Sequence, residues 1–270
     1  MTRNAKAPAP FIWYELMTTD AAGAKAFYES VVGWRIVPGQ PDPNGIEYGH
    51  ILRDDGGNNG GVLTLTSAMT QGGARPGWLG YLHVPDIDAA LAGIAADGGK
   101  VLMPKTTIDV GSFALVADPQ GVPIYVMTPV PPADDPQAQS DVYDRWAPQH
   151  VSWNELYTSD IEATKAFYAR HFGMAFNDKM PMGEMGDYWF ITEGTMEDAI
   201  GAMMTRPPHV PANGWHYYIR VADIDAAAAK VRELGGQVLN GPMEVPGGDW
   251  IINGLDPQGA AFSLVGAKGN

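Results

Sequence analysis

The sequence predicts an α+β fold assembled from four copies of a β-α-β-β-β module. Two observations lead to this prediction. The second half of the chain repeats the first, and each half contains two places where an apolar strand runs into a helix that begins at an aspartate. The length of 270 residues suits about two domains, each large enough to bury a core of its own.

The repeat is visible in two blocks of sequence. The first block recurs 140 residues further along, so that Trp13, Glu15, Asp20 and Phe27-Tyr28 correspond to Trp153, Glu155, Asp160 and Phe167-Tyr168. The second block recurs as well, so that Trp78, Asp86-Ile87-Asp88 and Asp118-Pro119-Gln120-Gly121 correspond to Trp215, Asp223-Ile224-Asp225 and Asp256-Pro257-Gln258-Gly259. The repeat predicts domains at 8–129 and 149–268, with modules at about 11–70, 77–129, 150–206 and 214–268. Residues 130–148, rich in Pro, Ala and Asp, are typical of an extended, semi-rigid linker.

Within a module, helix signals and strand signals follow each other in a fixed order. Asp20 is a favourable N-cap, and Gly33 stands where a left-handed C-terminal residue is expected. Asp86 opens a second helix, whose apolar residues Ile87, Leu91 and Ile94 share one face. The strands expected after these helices are short and bounded by Gly and Pro, as at 61–66, 113–117 and 124–128.

These motifs resemble the vicinal oxygen chelate superfamily, which includes glyoxalases, extradiol dioxygenases and bleomycin resistance proteins. The resemblance rests on the strand that leads into an Asp-capped helix ending in Phe-Tyr and Gly, and on the later Asp-Pro-x-Gly turn before a final strand. It covers nearly the whole chain outside the N-terminal tail and the linker, and is strongest to tandem members with two complete domains. The resemblance implies that each pair of modules curls its sheets into a cup around a small molecule.

The resemblance also implies positions for a divalent metal, and these hold poor ligands in this sequence. In the first half they are Trp13, Leu79, Tyr125 and a residue within 62–66. In the second half they are Trp153, His216, Ser263 and a residue within 200–205. Tight sites for zinc, iron or manganese normally use three or more protein ligands, so we expect no metal and no other cofactor. The alternative is that the alignment is displaced and that other groups, such as Glu15 and His83, form a site.

The resemblance implies that Trp13, Tyr125, Trp153 and His216 point into the two cups, and strand alternation adds the side chains that share their faces. Together they give Trp13, Glu15, Tyr81, His83 and Tyr125 for the first cup, and Trp153, Glu155, His216, Tyr218 and Arg220 for the second. Aromatic walls with a few polar groups are typical of a small-molecule pocket. Glu15 and His83 are candidate catalytic residues, as base and proton relay, and ion pairs of Glu15 with His83 and of Glu155 with Arg220 are expected. The alternative for both acids is a structural role that fixes the sheet, and for the tryptophans a place in the core.

The amino-acid composition limits the classes of partner that we expect for this protein. A formal net charge of −14, with 31 acidic and 17 scattered basic residues, disfavours nucleic acid. With no cysteine, the chain forms neither disulfides nor thiolate metal sites. The sequence shows no apolar run long enough to span a membrane and no signal peptide, so we expect a cytoplasmic protein without a membrane partner, either a monomer or a homodimer.

The sequence therefore favours a metal-independent binding protein for an aromatic or cationic small molecule. The alternative is an enzyme of the same superfamily, a lyase, isomerase or hydroxylase-like catalyst that acts on a carbonyl or vicinal-oxygen substrate. A further alternative is that one cup has lost its function and only stabilises the other.

Overall fold

The structure is a computed structural model, and it describes residues 11–43, 45–192, 198–208 and 210–269. The predicted start of the first domain at residue 8 lies outside this part of the chain. None of the described helices is long and apolar enough to cross a membrane.

Four β-α-β-β-β modules follow each other along the chain, as the sequence predicts. Module 1A contains β1 (Phe11–Thr18), α1 (Ala21–Val32), β2 (Arg35–Val37), β3 (Tyr48–Leu52), β4 (Asn58–Thr64) and the short α2 (Ser67–Gln71). Module 1B contains β5 (Gly77–His83), α3 (Ile87–Ala96), β6 (Lys100–Ile108), β7 (Gly111–Ala117) and β8 (Pro123–Pro129). Module 2A contains β9 (Val151–Thr158), α4 (Ile161–Phe172), β10 (Lys179–Pro181), β11 (Asp187–Ile191) and β12 (Gly201–Thr205). Module 2B contains β13 (Gly214–Val221), α5 (Ile224–Glu233), β14 (Gln237–Glu244), β15 (Trp250–Leu255) and β16 (Ala261–Gly266).

The helix boundaries follow the predicted capping residues. Asp20 accepts a hydrogen bond from the Gly23 backbone N–H at 2.9 Å, and Gly33 ends α1 in the left-handed conformation with φ of 86°. Asp86 caps α3 in the same way, through the backbone N–H groups of Asp88 and Ala89. These caps satisfy backbone groups that the first and last helical turns leave without partners.

Within the described residues, the strands form two eight-stranded mixed sheets with equivalent topology. Their orders are β2-β3-β4-β1-β5-β8-β7-β6 and β10-β11-β12-β9-β13-β16-β15-β14. Within each module the first strand pairs in parallel with the last, and the neighbouring pairs are antiparallel. The fold is therefore α+β, as predicted.

Each sheet carries its helices on one face. Thr158 Oγ1 of β9 lies 2.7 Å from Thr164 Oγ1 of α4, and Trp78 of β5 donates to Tyr28 of α1 at 3.0 Å. Because side chains alternate along a strand, the neighbours of these residues point to the opposite face. We call that opposite side of each sheet the open face.

Two compact units divide the chain, and each takes one module from each half. One unit contains Gly80–Ser140 and Asn154–Trp215, and thus most of modules 1B and 2A. The other contains Trp13–Leu79, Asp141–Trp153 and His216–Asn270, and thus most of modules 1A and 2B. The domain bounds read from the sequence remain a prediction.

An equivalent hydrogen-bonded triad joins the two modules inside each unit. In one unit, Trp78 Nε1 donates to the Tyr28 hydroxyl at 3.0 Å, and that hydroxyl donates to Asp256 Oδ2 at 3.1 Å. In the other unit the triad consists of Trp215, Tyr168 and Asp118, with distances of 3.0 and 3.4 Å. The aspartate of each Asp-Pro-Gln-Gly turn therefore binds a helix that belongs to the other half of the chain.

Burial dominates the electrostatics of these triads. It raises the pKa of both Asp118 and Asp256, although backbone N–H donors within their own turns oppose the shift. Burial, together with the nearby charge of Asp256, also raises the pKa of Tyr28 well above its ordinary value. The phenol therefore stays protonated and acts as a hydrogen-bond donor to the carboxylate.

The second part of the predicted linker differs from an extended segment. Val142 is 2% exposed, and Tyr143 pairs in parallel with Val151. Gln149, the first residue after the predicted linker, adopts a left-handed backbone with φ of 65°, and its side chain bonds to the Gly33 carbonyl and to Asp54. A polar, Pro-rich composition predicts exposure but does not exclude a few anchoring residues of this kind.

Candidate functional site

The open face of module 1A carries an acid and an imidazole in one row. Glu15 of β1 pairs in register with Gly61 of β4, and Gly61 pairs with His50 of β3. Glu15 is 2% exposed, whereas His50 is exposed. Because Gly61 has no side chain, the surface between the carboxylate and the imidazole is left to a neighbouring residue.

That neighbour is Tyr48, which lies over Gly61. A Cβ on Gly61 would collide with the Tyr48 hydroxyl oxygen. The same oxygen accepts a hydrogen bond from Trp13 Nε1 at 2.8 Å, and the rings of Trp13 and Tyr48 each meet the His50 ring edge-on, at 6.3 and 5.8 Å. The predicted residues Trp13 and Glu15 thus belong to an aromatic and acidic surface that also includes Tyr48 and His50.

The open face of module 1B is aromatic. Tyr81 and Tyr125 are register partners on β5 and β8, and their rings stack with centroids 4.2 Å apart. Phe113 of β7 packs against both rings, at 6.1 and 5.9 Å. Both tyrosines are 5% exposed, whereas His83 at the end of β5 is exposed.

Module 2A carries the second predicted acid, and a phenol binds it. Tyr188 of β11 donates a hydrogen bond to Glu155 Oε1 at 2.7 Å. Glu155 pairs in register with Ala202, and Ala202 with Phe190, so this row matches Glu15, Gly61 and His50 of module 1A. Glu155 is 6% exposed, and its phenolic partner is one that the sequence analysis missed.

Module 2B presents an apolar surface beside a polar row. Tyr218, Ile251 and Val265 form a buried cluster, and the partly buried Trp153 and Val245 pack against it. Next to this cluster, Asn253 Nδ2 donates to the Ser263 hydroxyl at 2.9 Å and to the Tyr218 hydroxyl at 3.3 Å. Asn240 extends the row by donating to Asn253 Oδ1 at 3.1 Å. His216, half-buried, is separated from Tyr218 by one residue on β13 and so shares its face.

Arginines flank this surface, and one of them has an acidic partner that the sequence did not predict. The Arg220 guanidinium binds both carboxylate oxygens of Asp249, at 3.2 and 2.6 Å, and also donates to Ser152 Oγ and the Arg145 carbonyl. The Arg145 guanidinium lies 5.2 Å from the Trp153 ring centroid, within the range of a cation–π interaction. The bidentate ion pair fixes Arg220 at the edge of the apolar cluster.

The metal positions that the sequence resemblance implies do not fit a metal ion. Trp13, Leu79 and Tyr125 in the first half, and Trp153 and Ser263 in the second, supply no carboxylate or imidazole, which leaves His216 as the single good donor among these named positions. Within the described ranges no three His, Asp or Glu side chains are grouped closely enough to hold a metal.

Some functional candidates escaped sequence reasoning, although the repeat marks two of them. Tyr48 and Tyr188 are separated by the same 140 residues as the Trp-x-Glu motifs, and so are His50 and Phe190. Asn253 and Asp249 carry no comparable signal, because no polar residue recurs at the matching positions of module 1B. Register and contacts in the folded sheet were needed to identify them.

Comparison with known proteins agrees with this architecture. A family model described as "Glyoxalase/Bleomycin resistance protein/Dioxygenase superfamily" matches residues 11–126 and 148–264. A Mycobacterium tuberculosis protein named putative glyoxylase CFP32 is 32% identical over 260 residues, covering 94% of this chain and 93% of the relative. The anthracycline biosynthesis protein DnrV of Streptomyces peucetius is 30% identical over 285 residues, covering 98% and 95%.

Solved structures share the fold at low sequence identity. The Mn(II)-bound glyoxalase from Novosphingobium aromaticivorans superposes with a TM-score of 0.62 at 17% identity, over 97% of this chain and 83% of that one. The dioxygenase LapB from Pseudomonas sp. KL28 gives 0.60 at 14% identity, over 98% and 94%. With the two family matches and the fourfold module, the chain belongs to the glyoxalase/bleomycin resistance protein/dioxygenase superfamily.

Proposed function

We propose that this chain binds a small, planar aromatic molecule bearing polar oxygens, and that it does so without a metal ion of its own. The observation that carries the proposal is the open face of module 2B. There the cluster of Trp153, Tyr218, Ile251 and Val265 adjoins the hydroxyl and amide row of Asn253 and Ser263. An apolar surface with a few placed polar groups suits a flat ligand whose edge carries hydrogen-bonding oxygens.

Two further observations support this ligand class. DnrV is named as an anthracycline biosynthesis protein, and anthracyclines are flat, oxygen-bearing polycyclic molecules. The side chains at the family's metal positions are chiefly aromatic or apolar. Under this proposal the binding energy therefore comes from stacking and hydrogen bonding rather than from chelation of a metal. The net charge of −14 disfavours an anionic ligand at long range.

The proposal is tested by titrating the protein with quinizarin in a calorimeter. Quinizarin is a flat dihydroxyanthraquinone in which each hydroxyl stands beside a quinone carbonyl. We expect saturable binding that Trp153→Ala weakens by about tenfold or more, because the variant removes the ring that extends the apolar cluster. The matched control is Trp189→Ala, because the Trp189 ring lies against Lys165 of α4 on the helix side of its sheet, and this variant should bind as the wild type does.

Two outcomes of this titration contradict the proposal. One is no binding by the wild-type protein; the other is equal weakening by Trp153→Ala and Trp189→Ala, which would indicate non-specific adsorption. Repeating the titration after dialysis against a chelator tests the metal-free part. Affinity that disappears with the chelator and returns with a divalent metal would overturn that part alone.

A second candidate function is catalysis, and the pair formed by Glu155 and Tyr188 favours it. A phenol that donates to a buried carboxylate at 2.7 Å is an arrangement capable of general acid–base chemistry. The similarity to a relative named putative glyoxylase also supports catalysis. Mass spectrometry of the quinizarin after the titration separates the two functions, since an altered compound indicates an enzyme and recovery of intact quinizarin indicates binding.

A further inference from the structure

One tryptophan of this chain is held in solvent. All eight tryptophans lie within the residues that the structure describes, and seven of them are buried or half-buried. The exception is Trp146, which is 68% exposed. An exposed indole gives up the large free energy that its burial would supply. Because single exposed apolar residues are common on protein surfaces, the surroundings of this ring decide whether it has a role.

The backbone at Trp146 is fixed to the rest of its compact unit. Asp144 Oδ1 accepts hydrogen bonds from the backbone N–H groups of Trp146 and Ala147, at 2.8 and 3.0 Å. The Arg145 carbonyl accepts from Arg220 Nε at 3.0 Å. The folded chain therefore sets the exposed position of the indole, and only two side-chain torsions remain to be ordered when a ligand binds.

Trp146 adjoins the surface on which the proposed function rests. The Arg145 guanidinium lies 5.1 Å from the centroid of the Trp146 ring and 5.2 Å from that of the Trp153 ring, so both indoles contact the same cation. The Arg220 guanidinium lies 5.6 Å from the Trp146 ring, and Arg220 shares the open face of β13 with Tyr218. Trp146 is therefore a neighbour of the open face of module 2B and not an isolated surface residue.

The contacts of Arg145 show that a flat group fits against both indoles. A guanidinium is planar and stacks on aromatic rings, as a planar aromatic ligand does. Arg145 is half-buried, and its long side chain can swing aside when such a ligand arrives. Its N–H groups then reach oxygens at the edge of the ligand, since a guanidinium carries five donors in one plane.

We propose that Trp146 is a ligand-contacting residue, which the second part of the predicted linker supplies to the site on module 2B. The planar ligand stacks on Trp153, and the Trp146 ring covers its outer surface. Arg145 leaves the two indoles and donates to the oxygens of the ligand. The inference rests on the proposed function and deepens it, because it adds a second stacking residue to the same site.

The first test is the titration of Trp146 variants with quinizarin in the calorimeter. Trp146→Ala should weaken binding by about tenfold, because one of two stacking rings is lost, whereas Trp146→Phe retains a flat ring and should weaken it by less than about threefold. Trp189→Ala, on the helix side of its sheet, is the matched control and should bind as the wild type does. The Tm of Trp146→Ala should stay within about 2 °C of the wild-type value, since an exposed ring adds little to folding.

The second test reports the contact directly by fluorine NMR. Protein produced with fluorotryptophan gives a resonance for each tryptophan, and the resonance of Trp146 is the one that is missing from Trp146→Phe. It should shift as quinizarin is added, in step with saturation in the calorimeter, because the ligand lies against this ring. The Trp189 resonance, identified in the same way from Trp189→Ala, should stay in place.

Each outcome separates the inference from the function on which it rests. If Trp153→Ala weakens binding and Trp146→Ala does not, the inference is wrong and the proposed function stands. An unmoved Trp146 resonance at saturation, or a fall in the Tm of Trp146→Ala beyond the expected range, would show an indirect role and has the same consequence. If Trp146→Ala turns a dimer into a monomer in sedimentation and keeps its affinity for quinizarin, the indole belongs to a contact between two copies of the chain and the inference is again wrong. No binding by the wild-type protein overturns both.

Discussion

The two halves of this chain are alike on their helix faces and different on their open faces. On the helix faces, the triad of Trp78, Tyr28 and Asp256 has its equivalent in Trp215, Tyr168 and Asp118. On the open faces, the row of Glu15, Gly61 and His50 corresponds to Glu155, Ala202 and Phe190. The duplicated sequence has thus kept its packing contacts and varied the residues available to a ligand.

Two of the three residues in this row differ between the open faces. Gly61 lets the Tyr48 ring lie over the sheet, where its hydroxyl accepts from Trp13 Nε1. Ala202 carries a Cβ at the matching position, and in that half Tyr188 donates to Glu155. The third residue of the row is the imidazole of His50 in one half and the phenyl ring of Phe190 in the other. The comparison teaches that the two rows offer different chemistry to a ligand, so equal function in the two halves is not expected.

The largest change in stability that we expect comes from variants of the two triads, and it tests whether the helix faces of the two halves are equivalent. Tyr28→Phe removes the hydroxyl that joins the Trp78 indole and the Asp256 carboxylate, and leaves both groups buried without this partner. The expected loss is about 2–4 kcal/mol of unfolding free energy, measured by urea denaturation. Tyr168→Phe should lose less, because its bond to Asp118 is longer, at 3.4 Å against 3.1 Å. A negligible loss in one variant alone would break the equivalence of the two triads.

A smaller effect concerns the pH dependence of stability. Burial raises the folded-state pKa of Asp118 and Asp256 above the unfolded value, so the folded protein binds protons more readily than the unfolded chain does. The stability linked to these groups is complete below the unfolded pKa and is lost as pH rises through the folded pKa. Asp256→Asn, which carries no titrating proton, should therefore flatten the fall of Tm with rising pH in the weakly acidic range.

The control for this prediction is the equivalent change in the other unit. Asp118→Asn should flatten the profile in the same direction, since burial is the main cause of the pKa shift in both carboxyls. Thermal unfolding followed by circular dichroism at a series of pH values measures both. A steeper fall in Tm with rising pH in either variant contradicts the sign of the shift.

The sequence predicted the four modules and the residues on their open faces. It did not predict which modules pack together in each compact unit. Caps such as Asp20 and Gly33 depend on local sequence, so they could be predicted. Strand alternation placed Trp13 and Glu15 on one face, because it depends only on spacing. The contact between Asp256 and Tyr28 was not readable, since the Asp-Pro-Gln-Gly turn and the Phe-Tyr helix occur in both halves and either combination satisfies the pattern.

The hydrogen-bond partners of the polar site residues could not be predicted from the sequence, for a related reason. Arg220 was expected to pair with Glu155, yet the structure places Asp249 from the β14–β15 loop against its guanidinium. The sequence separation of 29 residues gives no periodic signal.

The smallest effect we expect concerns the open face itself. Gly61→Ala places a Cβ where the Tyr48 hydroxyl lies, and the phenol must swing away from Trp13 because its far end moves more easily than the strand. The loss of one hydrogen bond and the gain of an alanine in place of a strand glycine nearly cancel, so the unfolding free energy should change by less than about 1 kcal/mol. The indole N–H of Trp13 should nevertheless shift in the NMR spectrum, because it loses its acceptor at 2.8 Å.

The reciprocal change, Ala202→Gly, should leave that resonance in place, since Ala202 lies in the other copy of the row. An unshifted Trp13 indole in Gly61→Ala would mean that the glycine does not set the position of Tyr48.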